Sequence, residues 1–263
     1  MKKTMIACVG ALMLAGTANA QLEVVSDDFE SYDITGNTIG NGWVVGANVF
    51  DEFFLAYLYG YFAFPAGNNR PDTTGTDAFS AIVDDQGGVD QGAQQLSMYS
   101  DYSNGDHALG YYIESFMYQE QGITASDAGT IVTFSFDAKV GPILTNTDSL
   151  AEARAFIKVL NPATGYSETY SDAITDEAMF TAAGETWNRY FISVEILPEW
   201  ENQVIQYGFA NLCTLYEPSG MYYDNVNLDG PDVPCPADFN GDGVLDNGDI
   251  GAFVNAFLAG CSD

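Results

Sequence analysis

The fold of this chain is constrained most by a series of short segments with β-strand patterning between residues 21 and 229, separated by clusters of Gly, Asn, Asp and Ser. In the segment 131–140, Val132, Phe134 and Phe136 alternate with polar residues, as in a strand with one buried and one hydrated face. Further segments of this kind are 153–160, 187–197, 204–212 and 221–228. Their number and spacing predict an all-β protein in which residues 21–229 form one β-sandwich domain.

The charge balance excludes several classes of function. The chain has 37 Asp and Glu against 7 Lys and Arg and one His, which is a formal net charge of −30. This negative field would repel nucleic acid and anionic membrane surfaces, so we expect no nucleic-acid partner. A site built from several histidines is excluded because His107 is the only one. Hard cations bound by oxygen atoms, calcium above all, remain compatible with this composition.

Residues 1–20 have the pattern of a secretory signal peptide. Lys2 and Lys3 form a short positive region, the stretch 5–15 is apolar, and Ala18-Asn19-Ala20 is the small-x-small sequence that precedes cleavage. The apolar stretch is too short to span a bilayer, which needs about 20 residues. We therefore expect cleavage after Ala20, no transmembrane segment afterwards, and a secreted or cell-surface location.

A linker and a small C-terminal module are predicted after the sandwich. Residues 230–236 contain three prolines in seven positions and can sustain neither a sheet ladder nor a helix. Once the signal peptide is removed, Cys213, Cys235 and Cys261 remain, so at most one internal disulfide can form. We expect it to join Cys235 and Cys261, because these two bracket the module 235–263.

The strongest chemical pattern lies directly after the linker, in residues 238–249. It has the spacing of an EF-hand-like calcium loop, with Gly243 at the sharp turn and a backbone carbonyl as one ligand. The predicted calcium ligands are Asp238, Asn240, Asp242, Val244, Asp246 and Asp249. A short amphipathic helix is predicted behind the loop, with Ile250, Phe253 and Phe257 on one face. The alternative is an Asp- and Gly-rich turn that holds no metal.

This loop, together with the frame from Cys235-Pro-Ala-Asp-Phe-Asn-Gly-Asp-Gly to Gly260-Cys261, resembles the GC-type dockerin domain of exported bacterial proteins. The match covers about 30 residues and is similar to one repeat of a type I dockerin. Cellulosomal dockerins carry two such loops, whereas this chain has one. The resemblance implies a calcium-folded module for anchoring or docking, with a cohesin-like protein or the cell envelope as partner.

The large domain carries a second resemblance. Its opening Asp27-Asp28-Phe29-Glu30-Ser31-Tyr32 and its closing Tyr222-Tyr223-Asp224-Asn225-Val226-Asn227-Leu228 are similar to the first and last strands of carbohydrate-binding-module-like jelly rolls of the galactose-binding type. The resemblance implies a jelly-roll β-sandwich in which Glu30 and Asp224 share a structural calcium ion, with Asp28 as a weaker third ligand. The alternative is that these are ordinary exposed carboxylates.

Sugar binding by such domains would use exposed aromatic faces, because pyranose C–H surfaces pack on aromatic rings. The stretch 53–64 reads FFLAYLYGYFAF, and in an extended strand Tyr57, Tyr59 and Tyr61 would share one face. Trp200 has polar neighbours, so we expect it to be exposed as a further sugar-binding residue. The alternative for the tyrosines is cross-strand packing.

These features together predict an exported, non-catalytic, carbohydrate-binding sandwich that is anchored through its calcium-binding C-terminus. Its expected partner is a polysaccharide or a cell-surface glycan. One alternative is a jelly-roll glycoside hydrolase, but the sequence does not single out a catalytic pair among 37 acidic residues. The other alternative is a structural cell-surface protein that binds no sugar.

Overall fold

The computed structural model describes residues 22–36, 38–51, 56–63, 66–68, 78–101, 104–143, 152–175, 186–214, 219–229, 250, 251, 253 and 254. The predicted signal peptide, linker, calcium loop 238–249 and disulfide between Cys235 and Cys261 lie outside these residues. Of the predicted C-terminal helix, Ile250, Gly251, Phe253 and Val254 have helical backbone and are exposed. The calcium-binding module therefore stays a prediction.

The described part of the chain is almost entirely β-structure. Its strands are β1 (Val25–Asp27), β2 (Val44–Phe50), β3 (Tyr57–Ala63), β4 (Ala78–Asp84), β5 (Gln94–Asp101), β6 (Tyr112–Gly122), β7 (Ile131–Ile143), β8 (Glu152–Asn161), β9 (Ser167–Thr175), β10 (Asn188–Glu195), β11 (Val204–Thr214) and β12 (Ser219–Asp229). A five-residue helix, α1 (Asn104–Ala108), precedes β6. The five segments predicted as strands from their patterning correspond to β7, β8, β10, β11 and β12. Among the described residues, no helix is long and apolar enough to cross a membrane.

The strands form two six-stranded antiparallel sheets. The first sheet has the order β10-β7-β12-β5-β4, and β1 pairs with the C-terminal half of β12. The second sheet has the order β3-β2-β6-β11-β8-β9. Strands that follow one another in sequence often lie in different sheets, so the chain crosses the sandwich repeatedly. The predicted all-β sandwich is confirmed in this coarse form.

The core lies between the two sheets and is rich in aromatic rings. Phe134 and Phe136 from β7 meet Phe209 from β11 at ring-centroid distances of 5.6 and 5.3 Å. Tyr223 of β12 stacks on Phe209 at 3.8 Å. All of these side chains are fully buried. Because each ring removes a large apolar area from water, this cluster is a main source of the stability of the sandwich.

The outer face of β7 is less hydrated than its alternating pattern predicts. Ser135 and Asp137 point away from the core, yet they are 2% and 8% exposed. The Arg189 guanidinium donates to Ser135 Oγ at 2.7 Å and to Asp137 Oδ1 at 3.2 Å. Gln91, from the loop between β4 and β5, donates to Asp137 Oδ2 at 2.9 Å. These contacts cover a face that periodicity alone would leave in water.

Candidate functional site

Strand β3 carries the three tyrosines predicted to bind sugar, but it does not present them on one face. Its pairing with β2 is regular from Ala63 to Tyr59, where Tyr59 lies opposite Val49. The register then shifts, so that Tyr57 rather than Leu58 lies opposite Phe50. This bulge adds one residue to β3 and reverses the alternation of its side chains beyond Leu58.

Tyr57 therefore lies on the outer face of the second sheet. Its ring contacts Phe50 edge-on, with a centroid distance of 6.0 Å, and packs against the buried cluster of Phe50, Tyr112 and Leu212. The prediction that Tyr57 shares a face with Tyr59 and Tyr61 is wrong. The reason is the bulge, which depends on the partner strand and leaves no signature in the spacing of the tyrosines.

Tyr59 and Tyr61 remain together on the other face and are exposed, at 39% and 47%. The Tyr59 hydroxyl donates a hydrogen bond to Asp106 Oδ2 in α1. The backbone carbonyl of Asp106 accepts from the amides of Leu109 and Tyr111 at 3.0 and 3.1 Å, which holds this turn in place. We call Tyr59 and Tyr61, with Asp106 beside them, the tyrosine platform. It combines apolar ring faces with a carboxylate, which are the groups that pair with the C–H faces and hydroxyls of a sugar.

Trp200 does not belong to this or any other exposed surface. It ends a short 3₁₀ turn, Pro198–Trp200, and is only 4% exposed. Its ring packs against Tyr170 at a centroid distance of 5.3 Å, within the main core. The prediction that Trp200 is exposed is wrong, because the turn directs the indole inward while its polar neighbours stay in water. A buried indole offers no face to a sugar.

The outer face of the second sheet holds a polar and aromatic cluster that the sequence reading missed. Asn48 donates to Glu114 Oε1 at 3.2 Å, and the Arg154 guanidinium lies 3.6 Å from Glu114 and 3.0 Å from Glu152. The neighbouring Phe116 ring is 7% exposed. These residues come from β2, β6 and β8, so no local motif could have revealed them. The available hint was the spacing of Arg154 and Lys158 in β8, since cations are rare in this chain.

A carboxylate cluster lies on the outer face of the first sheet. Asp224 of β12 lies directly opposite Asp137 of β7 and is 1% exposed. Its Oδ1 accepts a hydrogen bond from the backbone amide of Asn225 at 2.6 Å, whereas its buried Oδ2 has no hydrogen-bond partner. The pKa of Asp224 is raised to about 8, chiefly because burial disfavours the charged form, and the negative charges of Asp137, Glu30 and Asp28 add to the shift.

Glu30 reaches the same region from the turn that follows β1. Its Oε1 accepts from the amides of Ala93 and Gln94 at 2.6 and 2.8 Å. Gly92 has a positive φ of 62°, and a Cβ at this position would collide with Glu30 Oε1. The turn itself is anchored by Asp27, whose carboxylate accepts from Trp43 Nε1 at 2.8 Å. The charge of Glu30 also acts on Asp224, and the calcium ion that the jelly-roll resemblance implies for this pair stays a prediction.

This arrangement fits a hard cation in part. The unpartnered, buried Oδ2 of Asp224 is the kind of oxygen that a cation would satisfy. Within the described ranges, however, no group of three or more His, Cys, Asp or Glu side chains is placed to hold one metal ion. A cation here would therefore take two carboxylates, from Glu30 and Asp224, and complete its shell with backbone carbonyls or water, as calcium often does.

Comparisons with known proteins give matches in structure only. The sequence matches no protein-family model, and no curated protein matches it significantly. Among solved structures, a cyclase from Fischerella sp. TAU is 13% identical with a TM-score of 0.43, and the match covers 80% of this chain and 100% of the cyclase. The enzymatically active domain of tailspike protein 4 of bacteriophage CBA120 is 14% identical with a TM-score of 0.40 over 74% of this chain, which spans 21% of that domain.

Carbohydrate-binding modules are also among the similar structures. A family 61 module in complex with β-1,4-galactotriose is 12% identical with a TM-score of 0.33, and the match covers 57% of this chain and 81% of the module. A family 4 module is 13% identical with a TM-score of 0.31, and the match covers 58% and 78% of the two chains.

Proposed function

We propose that this protein is an exported, non-catalytic carbohydrate-binding protein and that it holds its ligand on the tyrosine platform. The observation that carries the proposal is the exposure of Tyr59 and Tyr61 on one face of β3 beside the Asp106 carboxylate. Residues two apart in a strand are separated by roughly 7 Å, so the two rings offer adjacent stacking surfaces. Asp106 supplies an acceptor for a sugar hydroxyl, which gives the flat apolar surface directional contacts.

The ligand is an uncharged glycan. The described cations are all engaged elsewhere: Lys139 donates to Gln86 O at 2.6 Å, Arg189 binds Asp137, Arg154 lies between Glu114 and Glu152, and Lys158 lies 4.4 Å from the Phe156 ring centroid. With a net charge of −30 and Asp106 at the platform, an anionic polysaccharide would be repelled. A neutral polysaccharide or cell-surface glycan carries no such penalty.

The test is affinity electrophoresis of the purified protein in native gels that contain neutral polysaccharides. Retardation of the wild type should be lost in the double variant Tyr59→Ala/Tyr61→Ala, because the stacking surface is removed. Leu58→Ala is the matched control, since Leu58 is equally exposed, at 43%, in the same strand. A wild type that is never retarded would favour a structural surface protein without sugar binding. Hydrolysis of any polysaccharide in the panel would instead favour a glycoside hydrolase.

Calcium in the sandwich is part of the proposal. Glu30 and Asp224 would hold the ion, with Asp28 nearby, and the ion would satisfy the buried Oδ2 of Asp224 and favour the charged form of this carboxyl group. Its role would be structural. Isothermal titration with Ca²⁺, in a chain whose C-terminal loop is disabled by Asp238→Ala, should detect one site that disappears when Asp224→Asn is added.

The C-terminal module is proposed to anchor the protein after export. The loop 238–249, with its ligand spacing, and the flanking Cys235 and Cys261 support a calcium-folded device that docks to a cohesin-like protein or to the cell envelope. In this proposal Asp238→Ala abolishes the calcium-dependent folding of the module and leaves the melting of the sandwich unchanged. A single transition in which both parts melt together would argue against a separate module.

A further inference from the structure

The loop of residues 85–93, between β4 and β5, lies over the carboxylate cluster of the first sheet. Gln91 donates to Asp137 Oδ2 at 2.9 Å, and Asn225 donates both to Asp90 O at 3.0 Å and to Asp137 Oδ2 at 2.8 Å. The middle of the loop is thereby tied to Asn225, which follows Asp224 in the chain, and to Asp137, which lies opposite Asp224 in the sheet; the Oδ2 of Asp224 is buried without a partner.

The end of the same loop is tied to Glu30. Glu30 Oε1 accepts from the amides of Ala93 and Gln94, and Gln94 Nε2 donates back to the Glu30 carbonyl at 2.9 Å. Gly92 has a positive φ of 62°, and a Cβ at this position would displace the Glu30 carboxylate from its place against the loop. The loop therefore contacts Glu30 at its end and the neighbours of Asp224 at its middle.

The loop has few apolar contacts of its own to keep it in place. Val89 at its tip is 97% exposed, and it contains three glycines with positive φ, at positions 87, 88 and 92. Its remaining ties are hydrogen bonds: Trp187 Nε1 donates to Gly87 O at 2.5 Å, Lys139 Nζ to Gln86 O at 2.6 Å, and Gln95 Nε2 to Gln91 O at 2.5 Å, while Gln95 Oε1 accepts from the Gln86 backbone amide at 2.7 Å. Segments held mainly by polar contacts, with few buried apolar ones, open at a lower cost in free energy than the apolar core.

We propose that a divalent cation bound between Glu30 and Asp224 fastens the 85–93 loop to the first sheet, so that the occupancy of the cation site controls the order of this loop. The inference rests on the calcium site proposed above. Without the cation, the buried Oδ2 of Asp224 gains a partner only when this region opens to water. Glu30 then lacks the restraint of the cation, and the loop bonded to it through Ala93 and Gln94 opens more readily. With the cation, Glu30 is held and the loop closes over Asp137.

Hydrogen exchange of the full-length chain, read by mass spectrometry of its peptides with Ca²⁺ or with EDTA, tests the inference. Calcium should slow exchange in the peptide that covers residues 86–94 by at least about tenfold, and leave the peptides of β6 and β11 unchanged. Asp224→Asn should abolish this protection. Asp229→Asn, at the exposed end of the same strand, is the matched control and should keep it.

Tryptophan fluorescence gives a second readout. Trp187 bonds to the loop, whereas Trp43 and Trp200 are buried at 4% exposure in the core. A calcium-dependent change in emission should therefore disappear in Trp187→Phe.

Two negative results have different meanings. In the first, Ca²⁺ binds at the sandwich in the titration while hydrogen exchange of the loop is the same with and without it. That result would contradict the link between cation binding and loop order, and would support the cation site itself. If no Ca²⁺ binds at the sandwich in the Asp238→Ala chain, both the cation site and its control of the loop are contradicted. In either case the tyrosine platform is unaffected, because it lies on the other sheet.

Discussion

Tyr57 and Tyr59 are two positions apart in β3, yet their side chains lie on opposite faces of the second sheet. Tyr59 pairs with Val49 and Tyr57 pairs with Phe50, so Leu58 is the extra residue of a bulge. Because of the bulge, Tyr57 has a packing role, whereas Tyr59 and Tyr61 are available for binding. Tyr57 packs against Phe50, and Tyr59 and Tyr61 form the exposed platform.

This division predicts opposite phenotypes for two similar substitutions. Tyr57→Ala should lower the free energy of unfolding by about 2 kcal/mol, since it removes a half-buried ring from the Phe50 cluster. Retardation of the Tyr57→Ala variant on gels that contain glycan should be unchanged. Tyr61→Ala should weaken this retardation and leave the midpoint of urea unfolding unchanged. Tyr57→Ala proteins that keep full stability and lose glycan binding would contradict the assignment.

Trp200 is predicted to matter for stability alone. Trp200→Ala should cost about 3–5 kcal/mol, the usual range for removing a buried aromatic side chain, because it leaves a cavity beside Tyr170. Trp200→Phe should cost clearly less, since part of the ring contact is kept. Urea denaturation followed by circular dichroism measures both. The outcome that does not fit is a stable Trp200→Ala protein with weakened sugar binding.

Stability is predicted to fall at alkaline pH. Burial raises the pKa of Tyr118 and Tyr207 well above the ordinary 10.0, and burial together with the Asp27 carboxylate does the same for Tyr32. Above pH 10.0 these phenols stay protonated in the folded state and lose their protons in the unfolded state. Unfolding therefore releases protons, and the free energy of unfolding decreases as the pH rises beyond this value.

The corresponding measurement follows phenolate absorbance and circular dichroism in one alkaline titration. A fraction of the tyrosines should ionise only as the fold is lost. Tyr118→Phe should make the loss of stability shallower, because one of the coupled groups is removed. Ionisation of all tyrosines in a single step near pH 10.0, with the sheet signal intact, would show that these phenols are not protected.

Charge should discriminate between glycans on the platform. Hydroxyethyl cellulose and carboxymethyl cellulose share a backbone and differ in charge, so the wild type should be retarded more by the first than by the second at low salt. Added salt should reduce the difference, because it screens the repulsion from Asp106 and from the net charge. Asp106→Asn should reduce the difference in retardation between the two polymers, and Asp229→Asn serves as the control. Stronger retardation by the carboxymethylated polymer would contradict an uncharged ligand.

Several features of this protein were readable from the sequence because they depend on neighbours in the chain. Alternation of side chains has a period of two, so Val132, Phe134 and Phe136 identified β7 and its inward face without any tertiary information. The segments that became β8, β10, β11 and β12 were recognised in the same way. The calcium ion shared by Glu30 and Asp224 was predicted only through a resemblance, since nothing local links residues so far apart, and it stays a prediction.

The tertiary structure decided which of the patterned residues face solvent. The bulge in β3 arises from its pairing with β2, and it moved Tyr57 to the outer face although the tyrosine spacing is regular. Trp200 is buried by Tyr170, which is 30 positions away in the sequence. Asp137 is covered by Gln91 and Arg189, from two different segments. Periodicity specifies where a side chain can point relative to its own strand, whereas exposure depends on what packs against it, and that is determined only when distant segments meet.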